Sequence, residues 1–151
     1  MSLENLLAIH RLARHEPEAG AARKLLSAAK RNLADSLVAS ITAENRFDAA
    51  YKAVMQCATV ALWIKGFRTQ TSEPGHHQTT LQSLPLTLDL DQDSVIVIDK
   101  LRKQRNLADY SGDTISNAAL VECRRQAEAL LKLVDGRVRA RWPEEGKSGR
   151  S

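Results

Sequence analysis

The fold is decided by one stretch of the sequence, Asp99-Lys100-Leu101-Arg102-Lys103-Gln104-Arg105-Asn106-Leu107-Ala108-Asp109-Tyr110. Apolar residues recur through it and just before it at three- and seven-residue steps, as Ile98, Leu101 and Ala108. This spacing places them near one line of an α-helix. The break Ser111-Gly112-Asp113 follows, so we expect the stretch to form the last turns of a helix that lies against a hydrophobic core.

Polar side chains are concentrated on the same predicted helix. Arg105 and Asp109 are four residues apart and can pair, while Arg102 lies two turns from Asp109 on one face. Tyr110 adds a phenol near the helix end. Two interpretations follow. Either these side chains form a ligand site, or Arg105 and Asp109 are an ordinary intrahelical ion pair and Tyr110 bonds a neighbouring helix through its hydroxyl.

The residues Arg105-Asn106 followed by Ala108-Asp109-Tyr110 resemble the signature helix of HEPN domains (higher eukaryotes and prokaryotes nucleotide-binding). HEPN domains are small all-helical modules, often dimeric, and many are RNA-cleaving toxins. The segment from Arg46 to Phe67 is similar to their long central helix, in which small residues let helices approach closely and a Gly ends the helix. Catalytic members carry a His after the Arg. Tyr110 stands in that place here, and the Ala-Asp-Tyr ending resembles a separate branch of the superfamily.

The composition and the helical segments predict an all-α fold, an up-and-down bundle of about five helices. The resemblance implies that this bundle is HEPN-like. We assign residues 1–142 to this helical domain and residues 143–151 to a disordered polar tail. Aromatic residues make up only 4% of the chain, so the core must consist mostly of Leu, Ala, Val and Ile.

Helical patterns run from Ser2 to near Pro17, from Pro17 to Leu37, from Thr42 to Gly66, from about Ser94 to Ser111, and from Thr114 or Ser116 to before Pro143. A polar loop at Arg68–Gly75 and a short helix or turn broken at Pro85 connect the third and fourth of these. The β-branched run Val95–Ile98 alone favours a strand. We assign it to the helix because it continues directly into the helical spacing and no partner strands are evident.

RNA cleavage by attack of a 2′-hydroxyl needs a base and a cation for the negative charge that develops on phosphorus. Arg105 or Arg102 can supply the cation, and Asn106 can hold a phosphate oxygen. Tyr110 is a poor base because the ordinary pKa of tyrosine is about 10. Pairing with Arg105 would lower the pKa of Asp109 and weaken it as a base. The catalytic candidates are therefore Arg105, Asn106 and Tyr110, and Arg102 and Asp109 are ligand-binding candidates.

His77 completes the set of ligand-binding candidates. The pair His76-His77 precedes a short predicted helix and is the only plausible replacement for the missing catalytic His, and we take His77 as its candidate. Adjacent residues of a helix point in different directions, so we do not expect both histidines to serve one site.

Three functions follow from these residues. The first is a nucleotide- or RNA-binding domain without efficient RNA cleavage. The resemblance implies that such a domain is a homodimer and the toxin-like half of a toxin–antitoxin pair whose antitoxin is a nucleotidyltransferase. The second is a non-catalytic helical protein-interaction module, suggested by the missing His and the many small packing residues. The third is a metal-independent ribonuclease toxin.

Bulk properties fit these hypotheses without selecting one. The net charge of +4 and the pI of about 9.3 permit binding to a polyanion. No apolar run approaches the roughly 20 residues of a membrane span, and the N-terminus has no basic region typical of a signal peptide, so we expect a cytoplasmic protein. Cys57 and Cys123 fit buried, reduced thiols. The sequence predicts no cofactor and no metal site.

Overall fold

Four long helices form most of the computed structural model, which describes residues 1–143. The helices are α1 (Leu3–Ala8), α2 (Ala19–Asp35), α3 (Ala43–Ile64), α4 (His76–Gln82), α5 (Leu84–Leu88), α6 (Gln92–Ser111) and α7 (Asn117–Arg141). Two three-residue strands, β1 (Leu12–Arg14) and β2 (Phe67–Thr69), pair antiparallel. The predicted all-α bundle is confirmed. Apart from Pro143, the predicted polar tail at 143–151 lies outside the described residues.

Helix α3 is the centre of the bundle. It packs along α7 and α2, and it also contacts α4, α5 and α6. Half of its buried residues are Ala or Cys, namely Ala50, Ala53, Cys57, Ala58 and Ala61. Small side chains allow neighbouring helices to approach closely, because the distance between helix axes depends on the side chains at the contact. The expectation that Ala and Cys mediate close packing of this helix is confirmed.

The ends of the long helices are set by local polar chemistry. The side chains of Thr42, Asp91 and Ser116 each accept a hydrogen bond from the backbone N–H three residues later, at 3.3, 2.7 and 3.1 Å. These bonds satisfy N–H groups that have no partner inside the helix. Gly66 and Gly112 follow α3 and α6 with φ of 91° and 72°, a conformation that glycine adopts without a steric cost.

The start of the chain differs from the prediction. The first helix ends at Ala8 instead of continuing to Pro17, and the chain turns at His10, where φ is 62°. Strand β1 then pairs with β2, with Ala13 opposite Arg68. The predicted helix over 9–17, and the predicted loop where β2 lies, were wrong. The physical reason is a second small core, in which this turn buries Leu6 and Leu12 against Leu62 and Phe67.

Two further local predictions concern the run Val95–Ile98 and the break at Pro85. The β-branched run Val95–Ile98 is helical in α6, with Val95 and Ile98 buried and Ile96 exposed, so the helical assignment is confirmed. The expected break at Pro85 lies two residues earlier, at Ser83 between α4 and α5, and Pro85 lies in the first turn of α5, where its missing N–H costs no helical hydrogen bond. Helix α2 begins at Ala19, two residues later than predicted.

Both cysteines are free and buried, as expected. Cys57 lies on α3 and Cys123 on α7, and neither side chain reaches solvent. Burial raises the pKa of each thiol to about 12, because a thiolate is poorly solvated in the core. Both sulfurs are therefore protonated packing groups at neutral pH.

We expect Leu130→Ala to lower the free energy of unfolding by about 2–5 kcal/mol, because Leu130 is 1% exposed in the core of α7 and its truncation leaves a cavity. The matched control is Leu133→Ala on the same helix, where the leucine is 41% exposed and the expected change is within about 0.5 kcal/mol. Urea unfolding of both variants measures the difference. Equal losses would contradict the placement of the α7 inner face.

Candidate functional site

A cavity of about 590 Å³ runs beside α3, a size typical of small-molecule sites. Its lining extends along α3 from Asp48 to Trp63, which corresponds to about 22 Å of helix length. The remaining walls come from Leu25 of α2, from β2 and the loop after it, from α4, and from Arg105 of α6. We call this cavity the α3 cleft. Its charged lining consists of three cations and one carboxylate, namely Lys52, Arg68, Arg105 and Asp48.

Arg105 is held at one end of the cleft by two carboxylates. Its Nε donates to Oδ1 of Asp48 at 3.1 Å, and its Nη2 lies 3.6 Å from Oδ2 of Asp109. The guanidinium also lies over the ring of Tyr51, 5.1 Å from the ring centre, within the range of a cation–π contact. Contacts with α3 and with its own helix thus fix the direction of the Arg105 side chain.

The structure brings only some of the predicted site residues together. Arg105 and His77 line the cleft, and Asp109 reaches it through its ion pair with Arg105. The Nε of Arg102 donates to Oδ1 of Asp99 at 2.9 Å, and its side chain is 16% exposed. Arg102 lies near enough to both Tyr51 and His77 to affect their pKa values, although it is not part of the lining. Asn106 is half-buried on α6 and is also outside the lining.

Tyr110 lies away from the cleft. Its side chain is 89% exposed and is not part of the lining. Tyr110 is five positions after Arg105, so its side chain points about 140° around the helix from that of Arg105. The expectation that Tyr110 and Arg105 lie in the same cleft was therefore wrong.

Both neighbouring histidines line the cleft, contrary to the expectation that only one could serve it. His76 and His77 begin α4 directly after Gly75, and their rings meet edge to face with centres 4.7 Å apart. The cleft extends across the start of α4, so both side chains reach it although they point in different directions. Burial lowers the pKa of His77 below its usual value of 6.5, and the charges of His76, Arg105 and Arg102 lower it further.

Tyr51 is a wall of the cleft that the sequence did not assign to it. The residue is 2% exposed, and its hydroxyl has no hydrogen-bond partner among the described residues. Burial raises its pKa to about 12, against the opposing effects of Arg105 and Arg102. A buried hydroxyl without a partner costs free energy, so Tyr51 is a group that a bound ligand or water would satisfy.

The far end of the cleft is aromatic. Trp63 lines it, and the ring of His15 stacks on Trp63 with centres 5.1 Å apart. The Nε2 of His15 is buried and has no hydrogen-bond partner in residues 1–143. This end therefore combines a flat apolar surface with a polar group that is not satisfied.

A signal for the cleft was present in the sequence of α3. Polar residues recur there at four-, four- and three-residue steps, as Asp48, Lys52, Gln56 and Thr59, on a helix whose other faces are apolar. Neighbouring helices cover most of α3, so a polar stripe on it marks the face that they leave uncovered. The stripe therefore indicates a cavity, whereas the contribution of β2 depends on strand pairing that no local pattern revealed.

Comparison of the chain with models of protein families, with curated proteins and with solved structures finds no match. Within residues 1–143, no helix is both long and apolar enough to cross a membrane. The same part of the chain contains no group of three or more His, Cys, Asp and Glu side chains that could hold a metal ion.

We expect Arg105→Gln to raise the pKa of His77, because the substitution removes one of the positive charges that disfavour the imidazolium. Burial remains, so the pKa should stay below 6.5. The control Arg125→Gln removes a charge from α7, where the side chain is 69% exposed and pairs only with Glu122 in the described structure. Titration of the histidine ring protons by NMR gives both values. An unchanged pKa in Arg105→Gln would contradict the proximity of the two residues.

Proposed function

We propose that this protein is a HEPN-like domain that binds a nucleotide, free or as part of an RNA strand, in the α3 cleft, without efficient RNA cleavage. The observation that carries the proposal is the composition of the cleft. Lys52, Arg68 and Arg105 face a single carboxylate at one cavity, whose walls also include the aromatic rings of Tyr51 and Trp63. Phosphate and base are the two parts of a ligand that such a lining suits.

Arg105 is the side chain of the cleft that is best suited to bind a phosphate. A guanidinium presents donors in a planar fork that matches two phosphate oxygens. Because Asp48 and Asp109 hold Arg105 in place, little side-chain freedom is lost when an anion binds. Lys52 and Arg68 add positive charge to the same cavity, and the exposed ends of their side chains can follow a phosphate.

Trp63 provides the ring of the cleft on which a nucleotide base would stack. Nucleotide bases stack on aromatic side chains, and each such contact contributes about 1–3 kcal/mol. The ring of Trp63 lines the cleft and is braced by His15. Thr59 and Gln56 lie about one and two turns earlier on the same helix face, where their side chains can bond the edge of a base.

The absence of efficient cleavage is proposed from the placement of Tyr110. It occupies the position of the catalytic His in the HEPN resemblance, and it is 89% exposed outside the cleft. A ribonuclease remains the second candidate function because of His77. This imidazole lines the same cavity as Arg105, and its lowered pKa favours the neutral form that can accept a proton.

The proposal includes a homodimer with a nucleotidyltransferase as antitoxin partner, both of which the resemblance implies. Support for the dimer comes from α6. Ile96, Leu107 and Tyr110 are 62%, 55% and 89% exposed, and their spacing places them within about 60° of one helix face. Exposed apolar side chains on one helix stripe are typical of an interaction surface. A two-fold axis there would bring two copies of the signature helix together.

We expect Arg105→Ala to weaken binding of a short single-stranded RNA by roughly 10- to 100-fold, because a charged hydrogen-bond donor is lost from the cleft. The control is Arg125→Ala, the same substitution on α7, which contributes no lining residue in the described structure. Fluorescence anisotropy at several salt concentrations measures the affinities and separates site binding from general charge. Equal affinities of the two variants would contradict the site. RNA cleavage that is abolished by His77→Gln would establish the second candidate instead.

We expect Leu107→Glu to shift the protein from dimer to monomer, because a carboxylate in an apolar dimer contact is poorly solvated and repels its symmetry copy. The control is Leu133→Glu, an exposed leucine on α7. Light scattering coupled to gel filtration gives the mass of each variant. A monomeric wild-type protein at all concentrations would exclude the dimer.

A further inference from the structure

His77 is a titratable group of the cleft that has no hydrogen-bond partner in the described part of the chain. Its ring nitrogens have no hydrogen-bond partner among the described residues, whereas Nδ1 of His76 lies 3.3 Å from the backbone oxygen of Glu73. Its ring lies 6.3 Å from that of Tyr51 and 4.7 Å from that of His76. An imidazole with two open nitrogens at a cavity wall is able to bond a ligand.

Charged and titratable groups surround His77 on several elements. Asp48, Tyr51 and Lys52 of α3 share its cavity. Arg68 of β2 and His76 of α4 do so as well. From α6, the positive charges of Arg102 and Arg105 act on it, and their carboxylate partners are Asp99 and Asp109. The lining of the cleft thus holds more positive than negative charge, which opposes a further proton on His77 while the cleft contains no anion.

We propose that His77 takes up a proton when the α3 cleft binds an anion, so that the ligand and the proton bind together. The inference rests on the proposed function in one respect, that the ligand of the cleft carries negative charge. An anion beside Arg105 offsets part of the positive charge that opposes the imidazolium, and the second nitrogen of His77 then becomes a donor to the anion. Protonated His77 thereby adds to the preference of the cleft for anions over neutral ligands of similar shape.

The direction of the pH effect follows from linkage. In the free protein the pKa of His77 lies below 6.5, and a bound anion raises it. Affinity for an anion of constant charge must therefore increase as the pH falls through the higher pKa, and it levels off below the lower one. Between the two values the increase approaches at most about tenfold per pH unit, the limit for uptake of one proton.

The probe must keep its charge over the tested range, because a terminal phosphate itself titrates near pH 6. The dinucleoside monophosphate UpU meets this requirement with its single phosphodiester. We expect calorimetry in two buffers of different ionisation enthalpy to show uptake of up to one proton per bound UpU. His77→Gln should still bind UpU but without proton uptake. The control His10→Asn changes a histidine outside the cleft to a residue that tolerates its positive φ, and it should retain the uptake.

A second measurement separates this inference from the proposed function. Sulfate has a constant charge above strongly acidic pH and needs no base-binding surface, so it tests the anion effect even if UpU does not bind. We expect added sulfate to raise the pKa of His77 in an NMR titration, and Arg105→Gln to reduce that rise. Binding of UpU without proton uptake would overturn the inference, as would a His77 titration that sulfate leaves unchanged. Absence of UpU binding together with a sulfate-dependent rise would remove the nucleotide function and keep the proton linkage.

Discussion

The close packing of α3 against α7 and α2 is the constraint on which the rest of the structure depends. Alanines and a cysteine on α3 let the neighbouring helices approach, and this closes most of its surface. One stripe stays uncovered, because Asp48, Lys52 and Gln56 interrupt the apolar pattern and cannot be buried without partners. The α3 cleft therefore lies along the face of α3 on which polar residues replace small apolar ones.

The geometry at Arg105 follows from this arrangement. Helix α6 starts at the Asp91 cap and ends at Gly112, and its buried residues Val95, Ile98 and Leu101 face the core. Arg105 continues that face by one turn and therefore meets the polar stripe of α3 instead of solvent. Its ion pair with Asp48 joins two segments 57 residues apart in the chain. Arg105, a catalytic candidate from the sequence, is thus held in place by α3.

Much of the fold could be predicted from the sequence, because helix periodicity and capping are local. The bounds of α3 and α6, the caps at Thr42 and Ser116, and the helical state of Val95–Ile98 all follow from residues close in the chain. The β1–β2 pair could not be predicted in this way. It joins residues more than fifty positions apart and depends on the small core around Leu12 and Phe67.

The site was predicted less completely than the fold. Periodicity correctly placed Arg105 beside Asp109, but it could not show which neighbouring helix Arg105 meets, so Asp48 and Tyr51 were not assigned to the site. Tyr110 was assigned by its position in a motif, and the rotation of the helix carries it to the surface. The adjacent histidines were separated on helical geometry alone, although a cavity at the start of a helix can contact two successive residues.

The pairing of β1 with β2 connects the first fourteen residues to one wall of the α3 cleft. Strand β2 supplies Arg68 and Thr69 to the cleft, and Ala13 and Leu12 are their partners across the ladder. The main core of the four long helices is built from residue 22 onward, and Leu62 of α3 packs in the second core that the ladder helps to form. A shortened chain that began after β1 would keep the main core, uncover Leu62 and Phe67, and leave the strand that carries Arg68 without its partner, so that one wall of the α3 cleft depends on the start of the chain although the main core does not.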